Sequence, residues 1–81
     1  MTPGLAMVVV GTAVNGLVTV RKGHNIFPVL LGGGTLALFV SGLDAFTDGT
    51  AGSAVGGTYL LGSLIYHGTD LFNTVNSLLG G

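Results

Sequence analysis

Residues 5–20 read LAMVVVGTAVNGLVTV, and residues 28–46 read PVLLGGGTLALFVSGLDAF. Each run is apolar around its whole circumference, as expected for a helix surrounded by lipid or by other protein. Both runs are longer than typical strands, so their length favours helices. As helices they span about 24 and 28 Å, close to the ~30 Å thickness of bilayer hydrocarbon. The two runs therefore predict a hairpin of short, transmembrane-type helices.

Residues 21–27 separate the two runs and contain the basic pair Arg21-Lys22, followed by His24. Pro28 suits the first turn of the second helix. Because basic residues stay preferentially on the cytoplasmic side, we predict that this turn lies inside and that both ends of the hairpin lie outside. Arg21, Lys22 and His24 are predicted to contact anionic lipid headgroups or to face a channel.

The remainder of the chain differs from the two apolar runs. Residues 47–57 are rich in glycine and threonine and predict a linker, although the small residues 51–57 could form either a helix or a flexible hinge. Residues 58–79 predict an amphipathic helix, with a break at Gly68, because their apolar residues recur at helical spacing. That stripe comprises Leu61, Leu64, Ile65, Leu71, Phe72, Val75, Leu78 and Leu79, and the other face carries Ser63, His67, Asp70, Asn73, Thr74 and Ser77. The chain is thus expected to form one all-α domain over residues 1–81.

The composition points to a membrane or to an assembled hydrophobic layer. Charged residues make up 6% of the chain, against about 25% of an ordinary soluble domain. A net charge of −1 provides no field that would attract nucleic acid. Cysteine is absent, which excludes disulfides. We expect residues 5–20 to be retained structure and no signal peptide, because the basic pair follows the apolar run instead of preceding it.

Small residues predict where helices approach one another. Membrane helices associate through glycine, alanine and serine, since lipid tails are already as apolar as leucine. One hairpin cannot cover all of these small-residue faces, so part of them is expected to meet other copies of the chain. Asn15 is expected either to bond across a helix interface or to reach interfacial water. The predicted packing residues are Gly11, Asn15, Gly16, Gly33, Ala37, Ser41, Gly52 and Gly56.

No catalytic motif is recognisable, and we expect the protein not to be an enzyme. His67 and Asp70 share a helix face, but a catalytic metal site needs about three protein ligands, and only His24 could add another. Gly32-Gly33-Gly34 lacks the lysine of a phosphate-binding loop. Asp44 would suggest ion transport if it lay deep in a membrane, but its place near the end of its run favours the interface. No cofactor is expected, although a bound phospholipid is compatible with the sequence.

The helix–basic turn–helix pattern of residues 5–46, with Arg21 and Lys22 in the turn, resembles the hairpin of conjugative (type IV secretion) pilins. That resemblance implies a small subunit of a filament whose basic turn faces an inner channel. The amphipathic segment that follows departs from the pilin pattern. A hydrophobic subunit of a phage tail or virion fits the sequence about as well.

Two further functional classes stay open. Phage holins are small membrane proteins that assemble laterally into pores, but they usually end in a charged tail, and this chain reads SLLGG over residues 77–81. An accessory subunit of a larger membrane complex would have a similar sequence. The favoured hypothesis is a non-catalytic structural subunit of a multi-copy, membrane-associated assembly, whose partners are other copies and lipid.

Overall fold

The structure, a computed structural model, describes residues 2–80, and the described part of the chain is all-helical. The all-α prediction is therefore confirmed. Four helices follow one another within residues 2–80, namely α1 (Pro3–Arg21), α2 (Phe27–Phe46), α3 (Thr50–Tyr66) and α4 (Gly68–Leu78).

Local signals explain where the first two helices begin and end. Thr2 caps α1, because its hydroxyl accepts a hydrogen bond from the Leu5 N–H at 3.3 Å. The turn after α1 needs Gly23, whose φ of +74° lies in the left-handed region. Asn25 Oδ1 then accepts from the Phe27 N–H at 3.1 Å and satisfies the first free donor of α2.

The third helix begins earlier than the sequence predicted. The expected linker over 47–57 shrinks to a short turn, since α3 already starts at Thr50. Gly49 has a φ of +94° and reverses the chain, and Asp48 Oδ1 accepts from the Thr50 N–H at 3.1 Å. The break that the sequence predicted at Gly68 is present one residue earlier, at His67, because the helical run ends at Tyr66 and resumes at Gly68. Residues 58–79 are thus divided between the end of α3 and α4.

The helices pack around α1, which contacts the other three. The pair α1–α2 is antiparallel, since Thr12 lies beside Gly33 while Gly16 lies beside Ile26. The pair α1–α3 is parallel and makes the most extensive contact in the fold. The described part of the molecule is elongated, with extents of 44 × 22 × 19 Å. The fourth helix lies at the end of the bundle where α1 finishes.

Burial is inverted relative to a water-soluble domain. The buried apolar side chains are Val8, Val18 and Val40, and most other buried positions of the described chain are glycine, serine or threonine. The helices α1 and α2 are long and apolar enough to cross a membrane, yet only 28% and 11% of their apolar windows are buried. Within one chain, both helices are therefore largely left uncovered by the other helices. Their larger side chains point outward, including Val10, Val20, Phe27, Leu30, Leu31, Leu38, Phe39 and Phe46.

Candidate functional site

The closest approach between α1 and α3 is made by three glycines. A Cβ atom on Gly4 would lie 2.5 Å from the carbonyl carbon of Gly52 and 2.9 Å from the Ser53 amide nitrogen. A Cβ atom on Gly56 would similarly overlap the backbone of Gly4. Because backbone atoms cannot rotate away as a side chain can, these positions exclude any larger residue. Gly52 and Gly56, which the sequence proposed for packing, thus lie in a contact within one chain.

Further towards the C-terminal ends of these two parallel helices, the α1–α3 interface becomes polar. The Asn15 side-chain amide donates to the Tyr59 hydroxyl at 3.1 Å and to Ser63 Oγ at 3.0 Å. The Tyr59 hydroxyl also lies 3.1 Å from Thr12 Oγ1. Ser63 Oγ donates in turn to the Tyr59 carbonyl oxygen at 2.9 Å. We call this set, Thr12, Asn15, Tyr59 and Ser63, the polar cluster.

The polar cluster is closely packed between α1 and α3. Gly11 makes room for the Tyr59 ring, because a Cβ atom at position 11 would lie 2.6 Å from the ring edge. The cluster is only partly exposed, and Ser63 retains 7% of its accessible surface. Hydrogen bonds between groups removed from water avoid a desolvation cost of about 1–3 kcal/mol for each group left unsatisfied. The cluster therefore fixes α3 against α1 at one register and rotation.

The α1–α2 contact uses another of the predicted glycines. A side chain on Gly33 would overlap Thr12, and one on Gly16 would reach Ile26 at 3.4 Å. Of the other predicted packing residues on α2, Ala37 is half-buried, whereas Ser41 is exposed. Gly33, Ala37 and Ser41, which follow one another at four-residue spacing, therefore turn progressively from the interior of the chain towards its surface. An apolar groove of about 480 Å³ lies between the two helices, the α1–α2 groove, lined by Val9, Thr12, Ala13, Gly16, Leu17, Val20, Ile26 and Leu30.

The basic residues lie at one end of the bundle and contact α4. Lys22 Nζ forms an ion pair with Asp70 Oδ2 at 2.6 Å, and Arg21 donates to Ser77 Oγ at 3.0 Å. His24 is exposed. Asp70, which the sequence placed on the polar face of the predicted amphipathic helix, is half-buried against Lys22 of the same chain.

The opposite end of the bundle carries two carboxylates. Asp44 Oδ2 accepts a hydrogen bond from the Thr2 hydroxyl, and Asp44 Oδ1 lies against Gly52 without a hydrogen-bond partner among residues 2–80. Asp48 is exposed, and its hydrogen bonds from the Thr50 side chain and backbone lower its pKa below the ordinary value of 3.8. Asp44 thus lies near the end of α2.

The acidic and histidine side chains of the described residues do not come together as a metal centre. Within residues 2–80, no three His, Cys, Asp or Glu side chains come together as ligands for a metal ion. His67 packs edge-on against Tyr66, with ring centroids 4.9 Å apart, and Asp70 is engaged with Lys22. The feature that distinguishes the described part of this chain is accordingly its packing, in which small residues, mostly glycine, fill the interior and most of the larger apolar side chains lie on the exterior.

Sequence reasoning missed three of the four members of the polar cluster. It singled out Asn15, but it assigned Ser63 to the outer polar face of a long helix and gave no role to Thr12 or Tyr59. A signal was present, because Tyr59 and Ser63 share one face of α3 at a spacing that helices repeat, as do Thr12 and Asn15 on α1.

Comparison with known proteins gives no relative: no family model matches the chain, and neither a curated protein nor a solved structure matches it significantly.

Proposed function

We propose that this protein is a non-catalytic structural subunit of a multi-copy, membrane-associated assembly. The observation that supports this function is the exposure of large apolar side chains around an interior filled mostly by glycine and other small residues. The side chains of Leu38, Phe39 and Ile65 retain 77%, 56% and 81% of their accessible surface, whereas Ser63 is buried. Leaving a large apolar side chain in water forgoes about 1.5–3 kcal/mol relative to burying it. The exterior therefore requires lipid or neighbouring chains as its solvent.

The dimensions of the bundle favour lipid along much of that exterior. As helices, α1 and α2 are about 28–30 Å long, and α3, which runs beside α1, is about 25 Å long. These lengths approach the ~30 Å hydrocarbon thickness of a bilayer. The charged side chains lie towards the two ends, with Arg21 and Lys22 at one and Asp44 and Asp48 at the other. In the proposed arrangement three helices cross the lipid, and the basic end faces the cytoplasm.

The multi-copy part of the proposal rests on surfaces that one chain leaves uncovered. Gly34 is exposed, and a Cβ atom there would meet open space. The same face of α2 includes Ser41, seven residues further along the helix, which is also exposed. Small residues on an outward face allow a second helix to approach closely. The α1–α2 groove offers a further apolar depression of about 480 Å³ to a neighbouring side chain or acyl chain. A pilus-like filament or a hydrophobic layer of a phage tail or virion would use such surfaces.

A holin-like pore is the alternative from another class, and the outward hydroxyls argue against it. A water-filled pore needs a polar lining. Thr35 and Thr58 are exposed, but each donates its hydroxyl hydrogen to a carbonyl of its own helix, at 2.8 Å. The amide of Asn15 is likewise engaged within the chain. An accessory subunit of a larger membrane complex would have the same apolar exterior. The stoichiometry of the purified complex distinguishes this function from the main proposal.

The decisive experiment is purification in a mild detergent, followed by native mass spectrometry and electron microscopy. We expect oligomers or filaments of this chain in the wild type, and a smaller assembly for the double variant G34L/S41L. The variant G62L is the matched control, because position 62 on α3 also faces open space but lies outside the proposed surface. A monodisperse monomer in detergent-free buffer would overturn the membrane proposal. Dye leakage from liposomes would favour the pore, and a fixed one-to-one complex would favour the accessory role.

A further inference from the structure

The short helix α4 presents three different faces. The face towards the bundle is polar: Asp70 pairs with Lys22 at 2.6 Å, Ser77 accepts from Arg21 at 3.0 Å, and Thr74 retains 3% of its accessible surface. An amphipathic helix on a water-soluble protein normally packs its apolar stripe against the core. In α4 it is polar side chains that hold the helix to the bundle.

The apolar face of α4 is consequently left exposed. Phe72, Leu78 and Leu79 retain 70%, 68% and 81% of their accessible surface, and Val75 retains 42%. These side chains need an apolar environment that the chain itself does not supply. A third face carries Asn73 and Asn76, which are also exposed. Because each unpaired amide would cost several kcal/mol in hydrocarbon, this face needs water.

The position of α4 indicates where both requirements are met. Its contacts with Arg21 and Lys22 place it at the basic end of the bundle. Tyr66, in the last turn of α3 directly before α4, retains 84% of its accessible surface. Tyrosine is enriched at the level of lipid headgroups, where its ring meets hydrocarbon and its hydroxyl meets water. A boundary between acyl chains and water therefore passes through this end of the molecule.

We infer that α4 lies flat in the lipid–water interface at the basic end of the bundle, with Phe72, Val75 and Leu79 among the acyl chains and Asn73 in water. The inference rests on the proposed membrane location of α1–α3. Interfacial helices of this kind bury their apolar face about 5–10 Å into the headgroup boundary. A lipid surface is favoured over a second protein chain, because the charge of Asp70 is already paired and the apolar face offers no polar group for directional recognition.

Single-tryptophan variants of the full chain can test this placement, since the protein contains no tryptophan. We would reconstitute F72W, L79W, N73W and L38W into phosphatidylcholine vesicles that carry bromine at defined depths. We expect the tryptophan fluorescence of F72W and L79W to have its emission maximum at shorter wavelength than that of N73W. Their fluorescence should be quenched most strongly by bromine near the headgroups. The control L38W, in the middle of α2, is expected to be quenched most strongly by bromine near the chain ends.

Each outcome then has a distinct meaning. Water-like emission from F72W and L79W, together with deep quenching of L38W, would overturn the interfacial helix while leaving the membrane proposal intact. Emission from L38W that is water-like as well as unquenched by lipid bromine would overturn the membrane proposal itself. Blue-shifted F72W and L79W that lipid bromine does not quench would show that protein covers the apolar face and would overturn the lipid assignment. Circular dichroism of each variant verifies that the helices persist.

Discussion

The side-chain amide of Asn15 donates a hydrogen bond of 3.0 Å to Ser63 Oγ, across 48 positions of the chain. The same separation applies to Gly4 with Gly52 and to Gly11 with Tyr59. Residues 4, 8, 11 and 15 thus form one face of α1, which meets residues 52, 56, 59 and 63 of α3 in parallel. Glycine contacts set how closely the helices approach at one end, and the polar cluster sets their register at the other.

The first prediction concerns the coupling between Asn15 and Ser63. We expect N15A and S63A each to lower the free energy of unfolding, because each removes a partner from the polar cluster. A double-mutant cycle should give a coupling free energy of about 0.6–1.7 kcal/mol, the range found for hydrogen bonds between membrane helices. Unfolding in mixed micelles with increasing fractions of denaturing detergent measures it.

The matched control for this cycle is Thr58, whose hydroxyl donates to its own helix at the Ala54 carbonyl. The pair N15A and T58A should be additive within about 0.3–0.5 kcal/mol, as expected for sites that share no partner. Coupling of equal size in both cycles would refute a specific Asn15–Ser63 bond.

The first two helices could be predicted from the sequence because both runs are apolar throughout and longer than typical strands. The predicted bounds of 5–20 and 28–46 differ from the observed Pro3–Arg21 and Phe27–Phe46 by no more than two residues. The start of α3 could not be predicted in this way. Glycine weakens an isolated helix by about 1 kcal/mol per residue, so residues 51–57 look like a linker. Their helix is explained by contact with α1, where Gly52 and Gly56 permit the close approach.

The candidate site shows the same division between local and long-range information. Asn15, Gly52 and Gly56 stand out by composition and spacing, but their partners lie far away along the chain and depend on how α3 is placed. Ser63 illustrates the difficulty. Its periodicity fits the polar face of an amphipathic helix equally well, and only the break at His67 separates it from the genuinely amphipathic α4.

The second prediction concerns the contact of Gly4 with Gly52. We expect G4A to lower the free energy of unfolding by about 1–3 kcal/mol, the usual cost of overpacking, because the new methyl would overlap the α3 backbone. The matched control is G62A, where a methyl meets open space. That control should leave stability unchanged or raise it by up to about 1 kcal/mol, through helix propensity. Equal destabilisation by both variants would contradict the proposed helix contact.

The third prediction concerns the attachment of α4 through Lys22 and Asp70. Both side chains are partly exposed, at 48% and 39%, so the pair should contribute only about 0–1 kcal/mol to global stability. We expect K22Q to increase amide hydrogen exchange in α4 while leaving exchange in α1 unchanged. The variant K22R keeps the charge and is expected to behave like the wild type. High salt should raise α4 exchange in the wild type but not in K22Q, because salt screens the ion pair.

The fourth prediction concerns the pH dependence that Asp48 contributes at the start of α3. Hydrogen bonds from Thr50 lower the pKa of the folded carboxyl below 3.8. The folded state therefore binds the proton less readily than the unfolded state, and the stabilisation is complete above that ordinary pKa. It is lost as the pH falls through the folded pKa. The variant D48N keeps an acceptor for the Thr50 N–H but cannot ionise. We expect the helicity of the wild type, followed by circular dichroism in micelles, to decline relative to D48N only below about pH 4. Parallel titration curves for the two proteins throughout that range would show that the Asp48 charge does not stabilise α3.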